Sequence, residues 1–192
     1  MKTYVYFIRH AESNFVFCKE RERLITEKGI IDSKKISEQL SNINFDFFIS
    51  SPYKRAIQTI EPLAKNSDIE LFEGLREKSL KGEFKLDKSS IEDAIKKSFI
   101  DIDFKLEGGE STRDVQNRAI PIIERAIDDK RIKNIAVGTH GNILTSILNY
   151  YNQSIGYDFW KSSSKPDIYK CEFHKKELMN IERIKGVEHN DK

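Results

Sequence analysis

Tyr4-Val5-Tyr6-Phe7-Ile8-Arg9-His10 places five apolar residues in unbroken succession before two basic ones. An alternating run would mark a strand with one wet face. A continuous β-branched and aromatic run of this length marks a strand buried on both faces. Working outward, Thr26 to Ser41 reads as a helix, with Ile36, Leu40 and Ile43 at i, i+4 and i+7. Phe45-Asp46-Phe47-Phe48-Ile49 reads as a second buried strand. Ser51-Pro52 then offers an N-cap and a first-turn proline for a helix carrying Ala56, Ile57, Ile60, Leu63 and Ala64 inward, which Pro62 should kink or shorten. A short strand is expected at Ile69–Phe72, helices near Ile91–Ile100 and over Ser111–Asp128, a third buried strand at Asn134–Gly138, and a helix over Asn142–Tyr150. Tyr169–Phe173 and Leu178–Ile184 flank Lys175-Lys176 as a hairpin. Alternating strands and helices imply an α/β fold, a mostly parallel sheet between two helical layers.

Ligands of such sheets bind outside the carboxyl ends of the strands. Arg9-His10 ends the first strand, Ser50-Ser51 the second, and Thr139-His140 the third. Two of the four histidines therefore emerge at one sheet edge, with Arg55 one turn into the helix leaving the second strand. Permanently charged guanidinium groups bind oxyanions in bidentate fashion. Backbone N–H groups after His10 and around Gly141-Asn142 begin turns or helices, where anions bind well. The set suits a phosphoryl group. His10 and His140 supply a nucleophile and a donor in either order, and Glu77, Glu83 or Glu110 could protonate a departing alkoxide. Neighbouring Arg9 and Arg55 should hold an imidazole pKa down, as a neutral nucleophile requires.

Composition narrows the alternatives. Across 192 residues, 33 Lys+Arg nearly cancel 31 Asp+Glu, so no large field exists to grip a nucleic-acid backbone. Cys18 and Cys171 lie far apart with neither a C-x-x-C nor a His at ligand spacing, which fits a reducing cytoplasm and argues against a disulfide framework or a zinc site. No stretch is long and apolar enough for a signal h-region or a membrane-spanning helix. No metal, cofactor, nucleic-acid or membrane partner is expected. His174, His189 and the lysine pairs at 34–35, 96–97 and 175–176 read as solvated, and the aromatics from Tyr150 to Trp160 as a core or interface cluster.

The ordered motifs resemble the histidine phosphatase superfamily in its phosphoglycerate-mutase-like branch. Arg9-His10-Ala11-Glu12-Ser13 is similar to the R-H-G/A-E-S/T signature, and Ile25-Thr26-Glu27-Lys28-Gly29 to the L-T-x-x-G helix start. Ser50-Ser51-Pro52-Tyr53-Lys54-Arg55-Ala56-Ile57-Gln58-Thr59 matches the S-S-P-x-x-R-A-x-Q-T block position for position. Leu75-Arg76-Glu77, Gly109-Glu110-Ser111 and Val137-Gly138-Thr139-His140-Gly141 are similar to the L-x-E, G-E-S and V-x-x-H-G elements. The resemblance implies a three-layer α/β/α sandwich forming one domain over 1–192, with an excursion over the active site at about 78–107. It further implies His10 as the phosphorylated nucleophile, Arg9, Arg55 and His140 around the phosphoryl group, and Glu77 as acid and base. Ser13, Asn14 and Gly141 would add phosphate contacts.

The chain departs from that pattern in the 11–25 segment, which is short, has Val16 where the family carries an asparagine, and replaces the Gln-Gly loop with Lys19-Glu20-Arg21-Glu22-Arg23. Gly82 is displaced by one residue after the L-x-E element. Arg21, Arg23 and Glu110 are candidate substrate contacts, although pairing of Arg21 and Arg23 with Glu20 and Glu22 is the plainer reading. The expected activity is hydrolysis of a small phosphomonoester through a phosphohistidine on His10. A mutase-type transfer and a low-turnover phospho-ligand binding protein are the alternatives.

Overall fold

The computed structural model describes residues 2–16 and 19–184. Cys18 and His189 lie outside them. Strands β1 (Lys2–Arg9), β2 (Phe47–Ser50), β3 (Ile69–Leu71), β4 (Asn134–Thr139), β5 (Asp167–His174) and β6 (Glu177–Ile184) form one sheet in the order β3-β2-β4-β1-β5-β6. β3, β2, β4 and β1 run parallel, while β5 and β6 are antiparallel additions beyond β1. The helices are α1 (Glu27–Gln39), α2 (Lys54–Ala64), α3 (Lys88–Ile100), α4 (Thr112–Asp128), α5 (Gly141–Tyr151) and α6 (Tyr157–Ser162).

Side-chain alternation along β1 builds both halves of the core. Val5 and Phe7 join a cluster with Ile49, Val137, Ile123 of α4 and Ile147 of α5. Tyr6 and Ile8 point the other way, into Phe48, Ile36 of α1 and Ile60 and Leu63 of α2. This is the α/β/α sandwich expected from the unbroken apolar run. The helix starts are specified locally. Thr26 accepts the Gly29 N–H at the head of α1, and Ser111 and Asp114 form a reciprocal capping box at the head of α4.

Three local readings change. The second strand begins at Phe47, because the Phe45 ring packs edge-on against Tyr6 and the Asp46 carboxylate accepts the Lys133 and Asn134 N–H groups. Ser51 does not cap α2; Tyr53 stands at the N-cap position without a side-chain bond, and the Ser51 hydroxyl is engaged by His140 instead. α2 passes Pro62 and ends two residues later, at Ala64. A short 3-10 turn at Glu73–Leu75 and helix α6 add to the elements expected from the sequence. In the 150–160 stretch, Phe159 stacks on Tyr169 while Tyr150 is exposed. Lys176, read as solvated, bridges Glu124 and Asp128 of α4.

Candidate active site

β1, β2 and β4 are parallel and in register, with Arg9 opposite Thr139 and Ser50 opposite Gly138. The residues that follow their ends therefore emerge together. His10, His140, Arg9 and Arg55 are all buried, and the rings of His10 and His140 meet edge to face at 5.2 Å. Thr59 of α2 couples two of these elements: its hydroxyl accepts the Ala11 N–H at 2.9 Å and donates to the Arg55 carbonyl at 2.7 Å.

Burial, then the charge of Arg55 and to a lesser degree Arg9, hold the His10 pKa well below the ordinary imidazole value. His10 is thus neutral at pH 7. Its Nδ1 lies 2.7 Å from the Ala11 carbonyl oxygen, which can only accept. The ring proton therefore sits on Nδ1 and the lone pair on Nε2. The same causes, burial first and then Arg55, keep His140 neutral. Its Nε2 is 2.7 Å from the Ser51 hydroxyl, and its buried Nδ1 has no partner among the described residues.

Arg9 donates to the Ser163 carbonyl at 2.9 Å and to its hydroxyl. Arg55 donates to the Glu20 carbonyl at 2.5 Å, and burial lowers its pKa to about 10, which leaves it charged. The Nε of each arginine is buried without a partner among the described residues. Tyr53 lies under the Arg55 guanidinium, 5.0 Å from it, and against His140.

Glu77 reaches the start of α5, where its carboxylate accepts the Ile143 N–H at 2.9 Å and the Asn142 N–H at 3.3 Å. Its negative charge is felt by both Arg9 and Arg55. Glu83 is exposed on the wall of a cavity of about 800 Å³ that Phe15, Glu20, Tyr53 and Glu77 also line. Glu110 is committed elsewhere: Arg118 holds both its oxygens at 2.8 and 2.9 Å, Arg76 donates to one and the Ser79 N–H to the other. Burial alone would raise its pKa, but these donors outweigh it and hold Glu110 below the usual carboxylate range. Lys78, next to Glu77, is buried with its ammonium on the Ser98 and Thr112 hydroxyls, and burial pushes its pKa down to about 8.

Ser13 is half-buried and pairs with Ile25 in an isolated bridge, and Asn14 is exposed. Gly141 packs against the Arg9 guanidinium. Arg21 lines the cavity beside Tyr53 and is paired there with Glu73, whereas Arg23 is mostly buried beside Glu20 and Arg55. Ser163 and Lys165 had no signal in the sequence, because only the antiparallel pairing of Arg9 with Asp167 brings their loop to the site. Thr59 stood inside a quoted motif with no side-chain task attached, and Ser51 stood there only as a helix cap. Among the described residues, no three His, Cys, Asp or Glu side chains gather as a metal-ligand set, and no helix is long and apolar enough to cross a membrane.

The fold recurs in solved structures. Mycobacterial glucosyl-3-phosphoglycerate phosphatase is 16% identical, with 96% of this chain and 98% of that one covered at a TM-score of 0.73. Bacillus stearothermophilus YhfR is 21% identical, with coverage of 97% and 98% and a TM-score of 0.74. Phosphoserine phosphatase from Entamoeba histolytica, solved with 3-phosphoglyceric acid, is 17% identical, with 98% of both chains covered and a TM-score of 0.73. At such identities the likeness establishes the fold. No curated protein matches the sequence. The sequence does match the histidine phosphatase superfamily (branch 1) over residues 5–177, and with that match covering most of the chain, the protein belongs to this superfamily.

Proposed function

We propose that the protein is a phosphomonoester phosphatase that hydrolyses a small phosphorylated metabolite through a phosphohistidine on His10. The observation that carries this reading is a neutral His10 with its lone pair on Nε2, set among Arg9, Arg55 and a buried His140 whose Nδ1 has no partner among the described residues. In the first step Nε2 attacks phosphorus in line as the ester P–O bond breaks, and Glu77, which takes up a proton when the dianionic substrate binds, delivers it to the departing alkoxide. In the second, water attacks phosphorus, Glu77 takes its proton, and the N–P bond breaks to release phosphate. Arg9 and Arg55 neutralise charge on the equatorial oxygens throughout. Ser51 accepts the Tyr53 N–H at 3.2 Å, and in this reading it gives its own proton to His140 Nε2. That leaves His140 Nδ1 protonated and free to donate to a phosphoryl oxygen. The 800 Å³ cavity suits a small metabolite rather than a polymer.

The test is hydrolysis of p-nitrophenyl phosphate with trapping of acid-labile phosphate on the protein. The parent is expected to turn over and to carry label. His10→Ala should lose both, with a rate at least about a thousandfold lower, in keeping with removal of a covalent nucleophile. EDTA should leave the parent rate unchanged, because guanidinium groups rather than a metal neutralise the phosphoryl charge. Full activity in His10→Ala would overturn the mechanism.

A further inference from the structure

Two guanidinium groups converge on one carboxylate oxygen beside the phosphoryl pocket. Glu20 Oε2 is 3.3 Å from Arg23 Nη2 and 3.4 Å from Arg55 Nη2. Arg23 is not needed for the steps above, yet its side chain is only 11% exposed and its Nε is buried without a partner among the described residues. Glu20, at 44% exposure, is the wetter member of the trio. A partly exposed carboxylate is weakly held and can move into water when a stronger anion arrives.

A second cation stands on the loop that Arg9 contacts. The Ser163 carbonyl receives Arg9, and the Ser164 N–H donates to the buried Asp167 carboxylate at 2.9 Å, so the loop carrying Lys165 is fixed at both ends. Lys165 itself is exposed as a residue. Partial desolvation, then the charges of Arg9, Arg23 and Arg55, push its ammonium pKa down against the opposing pull of Glu77. No carboxylate forms an ion pair with it among the described residues. Once Glu20 is displaced, Arg9, Arg23, Arg55 and Lys165 face Glu77; Asp167, which also acts on Arg9, is already paired with Arg183. A phosphoryl dianion then leaves positive charge uncompensated, and that charge resides on Arg23 and Lys165.

We propose that Arg23 and Lys165 form a second anion-binding subsite, occupied by Glu20 when no substrate is bound, and that the substrate is a phosphate ester bearing a further anionic group. This rests on the phosphatase reading of the adjoining pocket. The further group is a carboxylate or a second phosphate, and matched pairs of compounds distinguish the two: 3-phosphoglycerate against glycerol 3-phosphate, and glucose 1,6-bisphosphate against glucose 6-phosphate. In at least one pair the compound with two anionic groups should show a kcat/KM about tenfold higher, as expected for a charge-assisted hydrogen bond. Arg23→Gln and Lys165→Gln should each bring that ratio toward one, mainly through KM, while Glu20→Gln should tighten binding of the favoured compound. A parent ratio at or below one in both pairs overturns the subsite, as does a ratio kept in both variants. Lys165→Gln, on an exposed loop, decides the matter if Arg23→Gln does not fold. The same pairs titrated by calorimetry into His10→Ala read the preference without turnover. Absence of hydrolysis in the parent would thus overturn the phosphatase reading, while the subsite stands or falls on binding.

Discussion

Gly141 has no side chain, and the Arg9 guanidinium occupies the space that one would fill. A Cβ at this position would stand 2.9 Å from both Cζ and Nη2 of Arg9. The obstructed atoms are the far end of a flexible side chain, so the backbone need not move; the guanidinium must. Gly141→Ala should therefore fold normally, with a thermal midpoint within about 4 °C of the parent, the shift that about 1 kcal/mol produces in a chain of this size. Its kcat/KM on p-nitrophenyl phosphate should fall about ten- to a hundredfold, because small misplacements of a charged donor are costly in an in-line displacement. Calorimetric unfolding and steady-state kinetics on one preparation check both halves. Parent-like kinetics would mean that Arg9 tolerates displacement and does not hold the phosphoryl group.

At the scale of elements, α4 and α5 between them fix the segment that bears Glu77. Arg118 of α4 donates to the Gly74 carbonyl at 2.7 Å and to the Arg76 carbonyl at 2.9 Å while clasping Glu110 with the rest of its guanidinium. Glu110 in turn holds the Ser79 N–H. The stretch from Gly74 to Ser79 is therefore pinned on both sides of Glu77, and the N–H groups that open α5 receive the Glu77 carboxylate itself. Glu110→Ala should destabilise the fold by about 2–4 kcal/mol, since it strands a mostly buried guanidinium; the Glu110 and Arg118 side chains are each only 15% exposed. The surviving folded protein should lose kcat more than it gains KM, as the Glu77 carboxyl is no longer held in register. Denaturant unfolding with kinetics under folding conditions tests this. An unchanged unfolding midpoint would show that the Arg118 contacts to Gly74 and Arg76 suffice.

For the molecule as a whole, two buried neutral histidines make stability depend on pH. Unfolded imidazoles take up protons near pH 6.5, whereas folded His10 and His140 do not until well below it. Between those limits the unfolded chain binds more protons, so stability rises with pH and is lost on acidification below about 6.5. The slope should approach about 1.4 kcal/mol per pH unit for each histidine. Urea unfolding at pH 7.5, 6.5 and 5.5 should show little change over the first interval and a marked loss over the second. His10→Ala should remove about half of that loss. A parent midpoint that is flat down to pH 5.5 would mean that both rings take up protons in the folded state as readily as in the unfolded chain.

Unbroken apolar strands, helical periodicity and the order of the motifs depend on local patterning and backbone chemistry, so a single sequence displays them. β1, the helices that begin at Thr26 and Ser111, and the emergence of His10, His140 and Arg55 at one sheet edge all followed from such patterns. Partnerships made across long separations were not legible. Ser51 looked like a helix cap but bonds a ring 89 residues away, and Glu110 looked like a candidate acid but is held by Arg118. Arg23 read as a candidate substrate contact or, more plainly, as a surface charge paired with Glu20 or Glu22, and Ser163 and Lys165 as featureless loop. The sequence by itself determined the layered α/β fold and the set of residues at its strand ends. Only the tertiary structure decided which nitrogen of His10 is free, which carboxylate stands beside the arginines, and which further cations face them. Periodicity describes how a segment meets its own core, whereas hydrogen-bond partners and local charge depend on packing between distant segments.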